Sequence, residues 1–277
     1  MSHGNSTQHE LLSIGSIKWN RVTFYHRDDG QYGVIFINSP ETKVIKCFYN
    51  PDQCKDEYEK LKLFTTLVPE YSPSPISMIK TDDEVHLGIL MSYAGKSLYD
   101  CKLSLNFLEK TLAILQYIYV VLSISDKLKM EDVNHMNLCI WKRYNILRLR
   151  VIDCTLWIMK GDDRIDLSFW YDNCNHILTL IQILFGIDAE NFLGDVCRLF
   201  KAEIEHCAAQ NRHSHWDFYV KTRRQYIDIL KTLTEGIMDT IDIESTIIDK
   251  PFIDICKHMS QKINKKASRV QDSILFH

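Results

Sequence analysis

Five residues scattered along the chain have types that could do chemistry together: Lys46, Glu57, Asp132, Asn137 and Asp153. Asp153 stands in "VIDCTLW", one acid among apolar neighbours on what reads as a strand. A carboxylate buried there without a partner costs several kcal/mol or takes up a proton. It therefore needs a cation, unless it is a strand-end acid that reaches solvent or caps the next turn. Lys46, in "KVIK", has apolar flanks on a predicted strand, where the plain alternative is a solvated surface lysine. In "EYEKLKLF", Glu57 has apolar residues at +1, +4 and +7, so it sits beside a buried stripe from which it could reach Lys46; Glu59 is the other candidate. Asp132 and Asn137 stand five residues apart in "MEDVNHMNLCI", and Asp153 follows sixteen residues later. Upstream, "RDDGQYGVIF" sets Gly30 and Gly33 about Tyr32 in a loop between strands. Backbone without Cβ can approach phosphate closely, although the same spacing also makes a plain turn.

The elements that must position these residues change in period along the chain. From Lys18 to Tyr49 the pattern is β, with "KWNRVTFYH", "VIFIN" and "KVIKCFY" forming an antiparallel meander. A helix is predicted over 52–68, with Tyr58, Leu61, Phe64 and Leu67 on one stripe. After the proline-rich "PEYSPSP", strands are expected at 76–80 and 86–92, and "YAGKSLYD" has the turn chemistry of a linker. Helices follow at 104–125, 169–186, 190–209, 216–236 and 251–266, with a short β pair within 138–158. The expected class is α+β, a small β-rich lobe of five strands and one helix joined to a larger helical lobe. The expected division is an N-terminal extension at 1–16, the small lobe at 17–93 and the large lobe at 94–277.

Bulk properties fit a globular chain able to bury a full core: 277 residues, 45% apolar and 25% charged. A net charge of -3 gives no global field of the kind that nucleic-acid or membrane binders carry, so direct sequence-specific nucleic-acid binding is not expected. Nine cysteines, an odd number without a C-x-x-C spacing, fit reduced thiols inside a cell. The polar "MSHGNSTQHE" reads as no secretory signal. Apolar runs such as "LAILQYIYVVLSI" read as broken or too short to span a bilayer, so no membrane partner is expected. Nucleus or cytoplasm is the expected location.

The order of glycine loop, strand Lys, helix Glu, linker, loop Asp with Asn at +5, then a further Asp resembles a protein kinase. The resemblance implies a bilobal kinase fold and the cofactors ATP and Mg2+. Gly30, Tyr32, Gly33, Lys46 and Glu57 would then contact the nucleotide, with Met91, Ser92 and Tyr93 just before the linker. Lys46, steadied by Glu57, would hold the α and β phosphates, Asn137 and Asp153 would ligate Mg2+, and Asp132 would accept the proton of the attacking hydroxyl.

Departures from the common pattern narrow the resemblance. "MED" stands for H-R-D, "DCT" for D-F-G, and no A-P-E follows. An Asp-x-Thr motif, the missing A-P-E and an early return to helix resemble haspin, an atypical histone kinase whose motif reads I-I-D-Y-T, with Cys154 in place of its aromatic residue. "FWYDNCNHI" and "HWDFYVKTRRQYIDIL" resemble later segments of that family, so the likeness runs from about Ile17 to Leu230. It implies a serine/threonine kinase acting on a threonine of a basic protein tail, histone H3, without regulation by a long phosphorylated loop. Only 18 residues separate Asp153 from Asp172, and Glu131 with Asp162, Asp163 and Asp166 supplies acids that could face such a tail. Two alternatives are a pseudokinase serving as a binding module and a small-molecule kinase of the aminoglycoside or choline type. Two weaker signals read as structure: His206, Cys207, His213 and His215 as a helix end and polar loop rather than a zinc site, and "KHMSQKINKKASR" as a solvated final helix.

Overall fold

A computed structural model describes residues 11–14, 17–21, 33–38, 41–80, 86–143, 146–160, 168–186, 189–210, 216–244 and 250–273. The class is α+β, with a small antiparallel sheet region and a mostly helical remainder, as the change of sequence period predicts. Two compact units divide the chain: residues 1–94 with 153–155, and residues 95–152 with 156–277.

The first unit holds strands β1 (Leu11–Ile14), β2 (Ile17–Arg21), β3 (Gly33–Asn38), β4 (Lys43–Phe48), β5 (Pro75–Lys80) and β6 (His86–Ser92), and helix α1 (Pro51–Leu67). The strands form one antiparallel sheet in the order β1-β2-β3-β4-β6-β5. β1 lies where the sequence suggested only an extension. β2 ends at Arg21, and the remainder of the long strand expected there lies outside the described residues. Asn38 shapes the β3–β4 turn: its Oδ1 accepts from the Thr42 and Lys43 N–H groups at 2.9 and 2.6 Å. The resulting register pairs Phe36 with Ile45 and Ile35 with Lys46. Because strand side chains alternate between faces, Phe36 and Ile45 build an apolar cluster on one side while Lys46 and Phe48 take the other. Helix α1 begins where Asn50 caps the Asp52 N–H and Pro51 pre-sets the first turn. Its buried residues are Cys54, Glu57, Lys60, Leu61 and Phe64. The predicted stripe is therefore displaced, since Tyr58 and Leu67 are only half-buried and Glu57 lies on the buried face itself.

The second unit is built on helix α3 (Phe107–Ile124), started by a reciprocal capping box between Asn106 and Glu109. This helix is long and apolar enough to cross a membrane by length and composition, against the expectation from its sequence. Its apolar character has another outlet, because it is buried on nearly every side. The neighbours are α4 (Ser168–Phe185), α6 (Trp216–Glu244), α7 (Lys250–Asp272) and strand β10 (Ile146–Val151), and α5 (Ala189–Gln210) packs on α4 and α6. Strand β7 (Lys96–Ser97), helix α2 (Leu98–Cys101), β8 (Leu128–Lys129), β9 (Leu138–Arg143) and β11 (Ile158–Met159) complete the unit. Sheets run β10-β9-β7 and β11-β8. The segment read as a linker thus contributes a strand and a helical turn. Gly95 opens it at φ +112°, where a Cβ would lie 2.3 Å from the Ile140 carbonyl oxygen, so no other residue fits.

Gln116 of α3 braces β10, the strand that leads towards Asp153. Its Nε2 donates to the Leu147 carbonyl at 2.9 Å, and its Oε1 accepts from the Leu149 N–H at 2.6 Å. Both backbone groups are buried and would lose their partner in Gln116→Leu. The expected cost is about 2–4 kcal/mol, seen as a lower urea midpoint with an unchanged slope.

Candidate functional site

In the first unit, Lys46 from β4, Glu57 from α1 and the segment 153–155 meet. Lys46 Nζ donates to Glu57 Oε1 and Oε2 at 2.9 and 2.7 Å, to Asp153 Oδ1 at 2.8 Å and to Thr155 Oγ1 at 3.0 Å. Lys46 and Glu57 are 7% and 2% exposed, so the pair is desolvated and each charge depends on the other. Glu59 is instead exposed and pairs with Lys62 at 3.5 Å. Burial pushes the Lys46 ammonium towards losing its proton, but the Glu57 and Asp153 carboxylates outweigh it and raise its pKa. Burial raises the Glu57 carboxyl above the usual range despite Lys46. Burial also acts on Asp153, but there Lys46 and Thr155 prevail and hold the carboxyl below its ordinary range.

"VIDCTLW" is not a strand throughout. β10 ends at Val151, and Asp153 turns out of it with φ +63°, a conformation that Asp tolerates better than most residues. All the hydrogen bonds of Asp153 use Oδ1. Its Oδ2 is therefore left for an outside ligand among the described residues. Cys154 is fully buried, and burial pushes its thiol well up.

In the second unit, Asp132 and Asn137 are also brought together. Asp132 has φ +53°. Asn137 Nδ2 donates to its backbone carbonyl at 2.9 Å and to Oδ2 at 3.3 Å, and Asn134 Nδ2 donates to Oδ1 at 3.0 Å. Asn134 Oδ1 in turn accepts from the Met136 and Asn137 N–H groups at 2.8 and 3.2 Å, an Asx turn that fixes the loop. Nothing among the described residues donates to Asn137 Oδ1, so both expected magnesium ligands retain an uncommitted hard oxygen of the kind Mg2+ takes. Ile152 N–H donates to the Asn137 carbonyl at 2.9 Å, tying the end of the β10 segment to this loop.

Four contributors were not anticipated. Thr155 and Lys60 belong to the first site, and Asn134 and Asn173 to the second. Asn173, fully buried on α4, accepts from the Met130 N–H at 2.9 Å and donates to the Leu128 carbonyl and Ser125 Oγ at 2.9 and 3.1 Å, which fixes the approach to Asp132. The signals were present in the sequence: Thr155 is the third residue of "DCT", Lys60 lies one turn after Glu57, and Asn134 is two residues past Asp132.

The other expected site residues have plainer surroundings. Met91 is buried on β6, Ser92 Oγ accepts from the Ser74 N–H at 2.8 Å, and the Tyr93 N–H donates to the Thr42 carbonyl at 3.0 Å. Gly33 opens β3 opposite Phe48, whereas Gly30 and Tyr32 lie outside the described residues, as do Asp162, Asp163, Asp166, His213 and His215. Glu131 is engaged by Lys129 at 3.0 Å, and Lys129 also binds Asp172 at 2.7 Å. Asp172 falls inside α4 rather than at its start, because that helix begins at Ser168. His206 is exposed and Cys207 buried on α5, so they face apart, and among the described residues no three His, Cys, Asp or Glu side chains group as a metal site. Neither a family model nor a curated protein matches the chain.

A pH signature follows from the buried carboxylates. In the intact protein the depressed Asp153 pKa contributes stability that is present above its unfolded value of about 3.9 and is lost as pH falls through the lower folded value. Lys46→Met leaves Glu57 buried without its cation, with a pKa raised further above an unfolded value of about 4.3. The folded variant then binds more protons than the unfolded chain, so its stability should decrease as pH rises from 5 to 8. Urea unfolding across that range should show a steeper decline in the variant than in the intact protein, where Lys46 limits how far the Glu57 carboxyl is raised.

Proposed function

We propose that the protein is an ATP- and Mg2+-dependent serine/threonine protein kinase of bilobal, haspin-like type, acting on the hydroxyl of a basic protein tail such as that of histone H3, in the nucleus or cytoplasm. The observation that carries this reading is the ionic set of buried Lys46 and Glu57 with half-buried Asp153, drawn from a strand, the helix after it and a segment 107 residues downstream of the lysine. An ammonium held charged by two carboxylates is suited to receive phosphate oxygens. Lys46 would bind the α and β phosphates while Glu57 holds its direction. Asp153 and Asn137 are the residues that the kinase resemblance implies as ligands of Mg2+, which would supply charge neutralisation on the phosphates. Asp132, oriented by Asn134 and Asn137, would take the proton of the attacking hydroxyl. The basic-tail substrate is supported by the haspin resemblance and by the acids of "KGDDRID". Glu131, paired with Lys129, would offer such a tail less free charge.

The test is incubation with Mg2+ and labelled ATP, offering a histone H3 tail peptide beside small alcohols and sugars. Transfer to the peptide is expected, and Asp132→Asn should lower it about 10²–10⁴-fold while nucleotide binding survives. Asp153→Asn should in addition reduce the thermal shift produced by Mg2+ with ATP. Nucleotide binding without transfer to any acceptor would identify a binding module, and transfer to sugars or alcohols alone a small-molecule kinase.

A further inference from the structure

Thr155 occupies the centre of the buried ionic set, yet the chemistry assigned above gives it no task. Its hydroxyl accepts from Lys46 Nζ at 3.0 Å and lies within hydrogen-bonding reach of two carboxylates, Glu57 Oε2 and, at 2.8 Å, Asp153 Oδ1. A hydroxyl has one proton to donate, so the two acids compete for it, and the acid that does not receive it must rely on Lys46. Removing the oxygen would take one acceptor from the ammonium and the one hydroxyl that links both carboxylates. The backbone of Thr155 is held as well. Lys60, 7% exposed, donates to the Thr155 carbonyl at 3.1 Å while its ammonium is paired with Asp56 at 2.5 Å. Glu57 and Lys60 lie one turn apart on the buried face of α1, so one helix face grips residue 155 at both its hydroxyl and its carbonyl.

We propose that Thr155 is a positioning residue: its hydroxyl, with its carbonyl anchored by Lys60, fixes Glu57 and Asp153 in place around Lys46. The consequence for turnover rests on the phosphotransfer reading above, whereas the clamp itself does not. A β-branched residue suits the role because its side chain has few rotamers to lose. Thr155→Val keeps the shape and removes only the oxygen. Thr155→Ser keeps the oxygen.

The direct measurement is acylation of Lys46 in the full chain without nucleotide, followed by mass spectrometry and normalised to the exposed Lys62. A clamp that holds both acids and the hydroxyl on Nζ keeps the Lys46 nitrogen engaged and shielded, and so slow to react. Thr155→Val should speed its labelling at least about threefold, as the loss of one hydrogen bond to Nζ and looser carboxylates would. Thr155→Ser should return the rate to within about twofold of the original, a rescue that general loss of packing does not give. In the transfer assay, Thr155→Val should lower kcat about tenfold or more with Ser again restoring it. Should the valine variant not fold, Lys60→Met, which frees the carbonyl, should raise Lys46 labelling at least about threefold. Unchanged labelling in Thr155→Val, or in Lys60→Met where that is the variant measured, overturns the clamp even if the protein transfers phosphate. Faster labelling in a protein that transfers none supports the clamp and removes the phosphotransfer reading.

Discussion

The Lys46 ammonium, taken out of water on one face of the sheet, is the constraint on which the first unit is organised. Desolvating a charge costs several kcal/mol, and only close, well-directed acceptors return it. An ammonium has three protons, and here they meet Glu57, Asp153 and Thr155. Each acceptor imposes its own demand on the chain. Helix α1 must turn an acid inward at Glu57, and the distant segment 153–155 must leave its strand sharply enough to place Asp153 and Thr155 beside that acid. The left-handed backbone at Asp153 accompanies that turn.

The loop around Asp132 is fixed by different means. Its geometry is set by neutral amides: Asn134 and Asn137 hold Asp132, and Asn173 holds the strand end that precedes it. Amides fix direction without adding charge, so the loop is ordered with no lysine or arginine paired to Asp132 among the described residues. The ionic set and the amide-built loop therefore offer two kinds of oxygen: one already balanced by a cation and one oriented by dipoles.

Much of this was legible from spacing. Lys46 and Glu57 follow one another as a strand residue and a helix residue with fixed periods, and Asp132, Asn137 and Asp153 stand out because acids and amides are conspicuous between apolar runs. Periodicity could not reveal what depends on tertiary closure. Thr155 follows a strand end, where no repeat marks which hydroxyl turns inward. Lys60 has the residue type of a solvated face, and only its contact with a carbonyl 95 residues away accounts for its burial. β7 is two residues long and polar, so the reading of a linker was natural; its pairing with β9 is what makes it a strand. "VIDCTLW" carries strand composition past the point where pairing stops, because apolar residues there serve burial rather than a ladder.

The strand Leu11–Ile14 has a practical meaning for anyone who shortens this chain. It pairs along β2 through the whole of its length, Leu11 with Asn20 and Ile14 with Ile17, and forms the margin of the six-stranded sheet. A version trimmed to begin at Ile17 would turn β2 into the margin and leave its outward N–H and C=O groups open. Open ladder groups recruit other strands, and two such molecules can satisfy each other edge to edge. Loss of these few residues would then register as self-association on storage before any loss of the buried ionic set, and a preparation judged by solubility alone would misattribute the defect to the core.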